Sequence, residues 1–265
     1  MFKGNSCFVR CGSQVVRPES AKLSFVGSIP TRTSILLLCA HLLCAQDPRA
    51  ILDQALQTKK ELYFRVKDYL GREDIRYYRT ELPGSRKQTD WNTFDVFVVN
   101  GLRVFRLIAR NGKPIKPTDR LTTNNRIAFR VEDIPQNHSL ILKGEVTLLG
   151  RKCWVIEATL DPASPDNVSR EAGMSASDAT LWIDQQTHFL LKEESRLRRR
   201  WNGFPEGSVV THEALLHHDL PLSGRIHLQR QIPRGKNQTL LETEQIYSNY
   251  RRFGAQSAIE FNPGN

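Results

Sequence analysis

Between Tyr69 and Tyr250 the chain alternates apolar and polar side chains with a period of two, and turn residues break the alternation at short intervals. Such a pattern predicts half-buried β-strands joined by tight turns. The segments are Asp74–Leu82, Trp91–Val99, Leu102–Ala109, Ser139–Leu149, Lys152–Leu160, Thr180–Asp184, Phe189–Arg199, Ser208–Leu216, Gly224–Ile232 and Gln238–Tyr250. Asn100-Gly101 and Asn111-Gly112 lie between or after strands, and Asn-Gly pairs turn tightly because both residues tolerate positive φ. About ten strands with short connections imply one antiparallel sheet. A helical period occurs in one place: Leu52, Ala55, Leu56, Tyr63 and Val66 fall on one face of a helix started by Asp47-Pro48.

The alternation also assigns faces. Leu140, Leu142, Val146 and Leu148 read as one side of their strand, Trp154, Ile156, Ala158 and Leu160 as one side of the next, and Ile226, Leu228 and Ile232 likewise. Lys143, Glu145, Thr147, Glu157 and Gln229 occupy the opposite sides. A single helix cannot cover the apolar face of ten strands. The sheet must therefore curl, meet a second sheet, or leave apolar surface for a ligand. The expected fold class is α+β: a strongly curved antiparallel sheet, an incomplete barrel, covered by one long N-terminal helix and loops. Residues 113–135 and 161–178, rich in Pro, Ser and Asn, interrupt the strands as candidate lids or loops.

Upstream of the helix, Arg32 precedes the apolar run Ile35–Leu43, and Ala45 stands before the polar Gln46-Asp47. Positive end, short apolar core and small residue form the order of a secretory signal, with the cut expected after Ala45. The run is about half of the ~20 residues a membrane-spanning helix needs. Residues 1–45 are thus expected to be an upstream extension plus signal peptide, and 46–265 one exported domain, peripheral to the membrane rather than spanning it. Four of five cysteines (7, 11, 39 and 44) fall in the first segment. Cys153 alone remains, which excludes an intramolecular disulfide and reads as a packed small hydrophobe. The chain carries a formal +10, of which +6 belongs to residues 46–265. In an exported protein this excess favours anionic headgroups or acidic glycans over nucleic acid.

The search for chemistry is mostly exclusion. Thr211-His212-Glu213 through His217-His218 resembles a zinc helix, but the second histidine falls at i+5 rather than i+4. These histidines read as surface residues near a strand end. Asp184 and Glu193/Glu194 flank a turn and read as exposed hairpin carboxylates. No glycine-rich phosphate loop, nucleophile elbow or cysteine metal framework is present in the sequence, so no catalytic residue, metal or cofactor is assigned. Trp154 and Trp182 fit either core packing or the wall of an apolar cavity.

Three blocks carry a resemblance: Gly150-Arg-Lys-Cys-Trp-Val-Ile-Glu-Ala158, Ala179-Thr-Leu-Trp-Ile-Asp184 and Leu190-Leu-Lys-Glu-Glu194, with an ending at Glu244-Gln-Ile-Tyr-Ser-Asn-Tyr-Arg-Arg-Phe253. Over residues 50–253 the chain resembles bacterial outer-membrane lipoprotein-sorting proteins, the LolA-like and LolB-like periplasmic carriers. The resemblance implies a half-barrel around an apolar cavity that holds acyl chains of lipids or lipoproteins without chemistry, in the periplasm. Leu140, Leu142, Val146, Leu148, Trp154, Ile156, Trp182, Ile226 and Leu228 are the expected cavity residues. The alternative is an envelope sensor or interaction module that binds a protein partner with the same sheet. Residues 113–135 depart from the carrier pattern, since Pro114 and Pro117 stand where a lid helix is expected.

Overall fold

The computed structural model describes residues 46–65, 69–99, 102–116, 131–163, 177–200, 203–234 and 237–252. All belong to one compact unit, Ala45–Asn265. The expected signal peptide and the expected interruptions around 117–130 and 164–176 lie outside the described residues. Helix α1 spans Pro48–Arg65. The strands are β1 (Tyr69–Leu82), β2 (Lys87–Val99), β3 (Leu102–Arg110), β4 (Lys113–Pro114), β5 (His138–Leu148), β6 (Arg151–Leu160), β7 (Ser177–Asp184), β8 (Leu190–Leu197), β9 (Val209–His217), β10 (Leu220–Arg234) and β11 (Asn237–Arg252). Before β5 a 3-10 turn, Val131–Asp133, runs into the single-turn helix α2, Ile134–Asn137.

The strands form one antiparallel sheet in the order β4-β3-β2-β1-β11-β10-β9-β8-β7-β6-β5. Ten of them match the predicted segments, and the eleventh is the two-residue β4. Chain neighbours pair except β4 and β5, which form the two edges, and β1 meets β11 near the centre through Tyr69↔Arg252 to Leu82↔Gln238. The first and last long strands therefore join two meanders into one sheet.

The sheet is curled. Arg103 on β3 donates from Nη2 to Ser223 Oγ on β10 at 3.2 Å, although β2, β1 and β11 lie between the two strands. Flat, the four steps would separate them by ~19 Å at ~4.8 Å each. The Tyr69 ring on β1 likewise meets His217 on β9 edge-to-face, with centroids 6.2 Å apart. Both contacts cross the concave side.

The concave face of β5–β8 is apolar, and α1 lies on it. Ile51, Leu52 and Ala55 join Val131, Ile134, Trp154, Ile156, Ala158, Ala179, Leu181 and Ile183 in one buried cluster. Burying Ile51 and Leu52 contributes about 1.5–3 kcal/mol each. The expected cover of one long N-terminal helix and loops is met in part, with α1 packed on this half of the sheet. The half built from β1–β3 and β9–β11 is bridged instead by Arg103.

Bulges correct the simple alternation. Leu140 and Leu142 oppose Ala158 and Ile156, but the register slips before Gly144, which opposes Val155 with φ of 135°. Val146 then opposes Cys153 and Leu148 opposes Arg151, so both point to the convex side, while Glu145 joins Trp154 on the concave one. The four residues assigned to one side are split in pairs. Gly224 occupies a second bulge, between Ser223 and Arg225 against β9. A Cβ there would stand 2.9 Å from both Ala214 C and Leu215 N, which are backbone atoms. Gly224→Ala should therefore cost about 1–3 kcal/mol through forced separation of β9 and β10. A thermal melt checks this, and an unchanged midpoint would mean that the two strands are less tightly apposed.

Candidate functional site on the concave face

Strand registers place a continuous row of side chains across the concave face. Leu142, Ile156, Leu181, Glu193, His212, Ile226, Gln245, Ile75 and Asn92 are successive partners on nine strands. The row is apolar at the β5–β7 end, turns ionisable at Glu193 and His212, and is mixed beyond. Directly opposed residues on neighbouring strands hold their Cβ atoms ~5 Å apart, so each step is a side-chain contact. Ile156 and Leu181 are fully buried at 0% exposure.

The predicted cavity residues divide accordingly. Leu140, Leu142, Trp154 and Ile156 come together under α1 in the main cluster. Ile226 and Leu228 share the same face nearer the centre, where Leu228 packs on Leu197 and Phe204 of a separate cluster. Trp182 opposes Val155 and Lys192 on the convex side, with the Lys192 ammonium 5.0 Å from its ring centroid. Leu148 packs with Cys153, Phe189 and Leu191. Val146 is 43% exposed. Four of the nine thus share the apolar wall, two lie further along the same face, and Val146, Leu148 and Trp182 turn to the other.

Glu193 and His212 were not read as interior from the sequence. The Glu193 carboxyl is 6% exposed and accepts from Ser195 Oγ at 3.3 Å. Burial pushes its pKa up to about 8, against the pull of the Lys59 ammonium and the Ser195 hydroxyl. His212 stands opposite it on β9, with its buried Nε2 lacking a hydrogen-bond partner among the described residues. Burial pushes the His212 pKa down to about 4, helped by the positive charges of Arg103 and Lys59. Lys59, on α1, pairs with Glu132 at 2.8 Å. At neutral pH the two opposed groups are therefore both uncharged, and an ionisable pair sits in the floor of the fold without carrying charge.

The other carboxylates at this end of the sheet are structural. Asp184 is 2% exposed and closes the β7–β8 turn by accepting from Thr187, from the Gln186 amide and from Arg151. Burial raises its pKa, but these donors outweigh it and hold the carboxyl below its ordinary value. Cys153 is free and buried, and its thiol is pushed up by burial and then by Asp184, which fits a packing role. Among the described residues no group of three or more His, Cys, Asp or Glu side chains converges as a metal-ligand set.

No family model matches this chain. No curated protein matches it either. Among solved structures it is similar to a DUF1329 family protein from Desulfovibrio piger, at 15% identity, over 80% of this chain and 96% of that one, with a TM-score of 0.38. It is also similar to a LolA superfamily protein from Nitrosomonas europaea, at 13% identity, over 78% and 94%, with a TM-score of 0.30. A third is a putative outer membrane lipoprotein-sorting protein domain from Vibrio parahaemolyticus, at 14% identity, over 80% and 97%, with a TM-score of 0.34. The last two carry the group names to which the sequence blocks point. At such TM-scores these likenesses bear on neither ligand nor activity.

The concave pair generates a pH signature. Glu193 binds its proton more tightly folded than unfolded, so stability falls as pH rises from about 4.5 towards 8. His212 binds its proton less tightly when folded, so stability falls as pH drops from about 6.5 towards 4. Where those windows overlap, from about pH 4.5 to 6.5, the two slopes oppose each other, which puts the optimum at mildly acidic pH. Between pH 6.5 and 8 only the Glu193 slope remains, about 1–2 kcal/mol. Urea melts of Glu193→Gln should lose this alkaline fall while the wild type keeps it. Equal slopes in the two proteins would place the Glu193 carboxyl in contact with water.

Proposed function

We propose that this chain is a noncatalytic binding protein of the periplasm, which holds an acyl chain of a lipid or lipoprotein against the wall of Leu142, Trp154, Ile156, Leu181 and Ile183. The observation that carries the reading is the continuity of that wall on the concave face of an open sheet, with α1 as its main cover. An acyl chain would replace Ile51, Leu52 and Ala55 on the wall when α1 lifts, and each CH₂ transferred there is worth about 0.8 kcal/mol. The helix is tied on its polar side by the half-exposed Lys59–Glu132 pair, and such a pair contributes little to holding it down. Transfer towards the outer membrane would be the purpose of such binding.

A second reading keeps the same fold as a partner-binding envelope module. It is favoured by one fact: the wall is already filled by the chain's own helix. The two readings differ in what the purified protein carries. Full chain made in a bacterial host and purified without detergent should yield stoichiometric acyl lipid by mass spectrometry, and should take up a fluorescent fatty acid. Leu52→Ala, which loosens the cover, should speed that uptake, and Ile156→Asp should abolish it. A folded, lipid-free protein whose uptake is negligible and indifferent to Leu52→Ala would contradict the acyl reading and leave the partner module.

A further inference from the structure

On the convex side, where β1 leaves its regular pairing with β11, the ladder opens. Leu70 opposes Arg251 and Arg72 opposes Ser248, so Gly71 alone faces the two residues Asn249 and Tyr250. Asn249 takes the left-handed conformation, at φ of 55°, that this bulge requires. Gly71 is needed for a different reason. A Cβ on it would lie 3.1 Å from the Tyr250 ring, whose hydroxyl is already committed as donor to the Ser223 carbonyl at 2.8 Å. The gap is a cleft of about 360 Å³ lined by Leu70, Gly71, Arg72, Asp95, Asn249, Tyr250 and Arg251.

The charges at this cleft do not balance. Asp95 opposes both Arg72 and Arg106, and it lies 2.8 Å from Arg106 Nη2 but 4.0 Å from Arg72 Nη2. Its one negative charge is thus largely spent on Arg106. Arg251 is exposed and has no ion pair among the described residues. Three guanidinium groups against one carboxylate leave two positive charges beside a formed cavity. A flat arginine-rich surface would only be hydrated, whereas here a backbone bulge holds space open between Arg72 and Arg251. Leu70 supplies an apolar floor beside them.

We propose that this cleft binds a phosphate group, gripped by Arg72 and Arg251 while Asp95 stays paired with Arg106. Guanidinium forks match phosphate oxygens two at a time, which suits arginine rather than lysine at both positions. The site lies on the face opposite the acyl wall and does not depend on the reading of that wall. Its phosphate could be a soluble monoester or the headgroup of a phospholipid at a membrane surface.

The test is an NMR titration of the full chain with inorganic phosphate at low ionic strength, following the arginine Nε–Hε signals. Saturable shifts of Arg72 and Arg251 are expected with phosphate and not with matched chloride. Arg251→Gln, at an exposed position that should leave folding intact, and Arg72→Gln should each weaken binding about tenfold, the worth of one charge-assisted contact. Arg198→Gln, at a distant pair with Asp178, should leave it unchanged. Absence of saturable shifts, or binding by the Arg251→Gln and Arg72→Gln variants as tight as that of the wild type, would overturn the proposal. Co-sedimentation with phosphatidylglycerol vesicles then separates the sources. Loss of sedimentation in Arg251→Gln assigns a lipid headgroup, and sedimentation that does not respond to it assigns a soluble phosphate ester.

Discussion

Ile51, Leu52 and Ala55 of α1 press on Ile156, Leu181 and Ile183, and on that contact depends how a sheet of eleven strands can expose so little of its apolar face. One helix of 18 residues is too short to shield the whole sheet. The β5–β8 half uses it, with Val131 and Ile134 filling the flank. The remaining strands solve the same problem by curling until β3 reaches β10 through Arg103. Coverage by a helix and coverage by curvature thus share one sheet, and Glu193 and His212 lie where the two regimes meet.

The two faces of the central strands differ in kind. On the convex side Glu242 and Glu244 of β11 receive Arg86, His227, Gln229, Tyr78 and Arg225, and the Arg86 guanidinium lies 3.4 Å over the Tyr78 ring. Burial raises both carboxyl pKa values, but the surrounding donors outweigh it and keep both groups ionised. This ladder crosses β1, β11 and β10 and fastens the junction between the chain's two meanders. The concave side has no such compensation at Glu193 and His212: exclusion of water keeps both neutral, against the pull of Lys59 at Glu193 and with the help of Arg103 and Lys59 at His212. Charge is tolerated where it is paired on the outside and suppressed where the interior would have to hold it.

The strands were legible because alternation is a local property, and the observed β2, β3 and β6 begin or end within a few residues of the predicted segments. The helix was legible for the same reason. What could not be read was parity across a bulge. Gly144 is the one signal in β5 that the alternation would break, and treating it as an ordinary member of the face put Val146 and Leu148 on the wrong side. Burial of Glu193 and His212 was illegible for a different reason. Each is polar in a strand whose other concave residues are mixed, and only the curl removes the water. Leu140, Leu142, Trp154 and Ile156 were found because the clean alternation of β6 and the first half of β5 leaves no ambiguity about their face.

If α1 is a cover that gives way to a ligand, its amides must open more readily than those of the strands beneath it. Hydrogen exchange measured by mass spectrometry on the ligand-free full chain tests this directly. Peptides covering Pro48–Arg65 should exchange by local opening, orders of magnitude faster than peptides covering β6 and β7. Protection of α1 equal to that of β6 and β7 would mean that helix and sheet open only together, and the wall would then be a closed core rather than a binding surface.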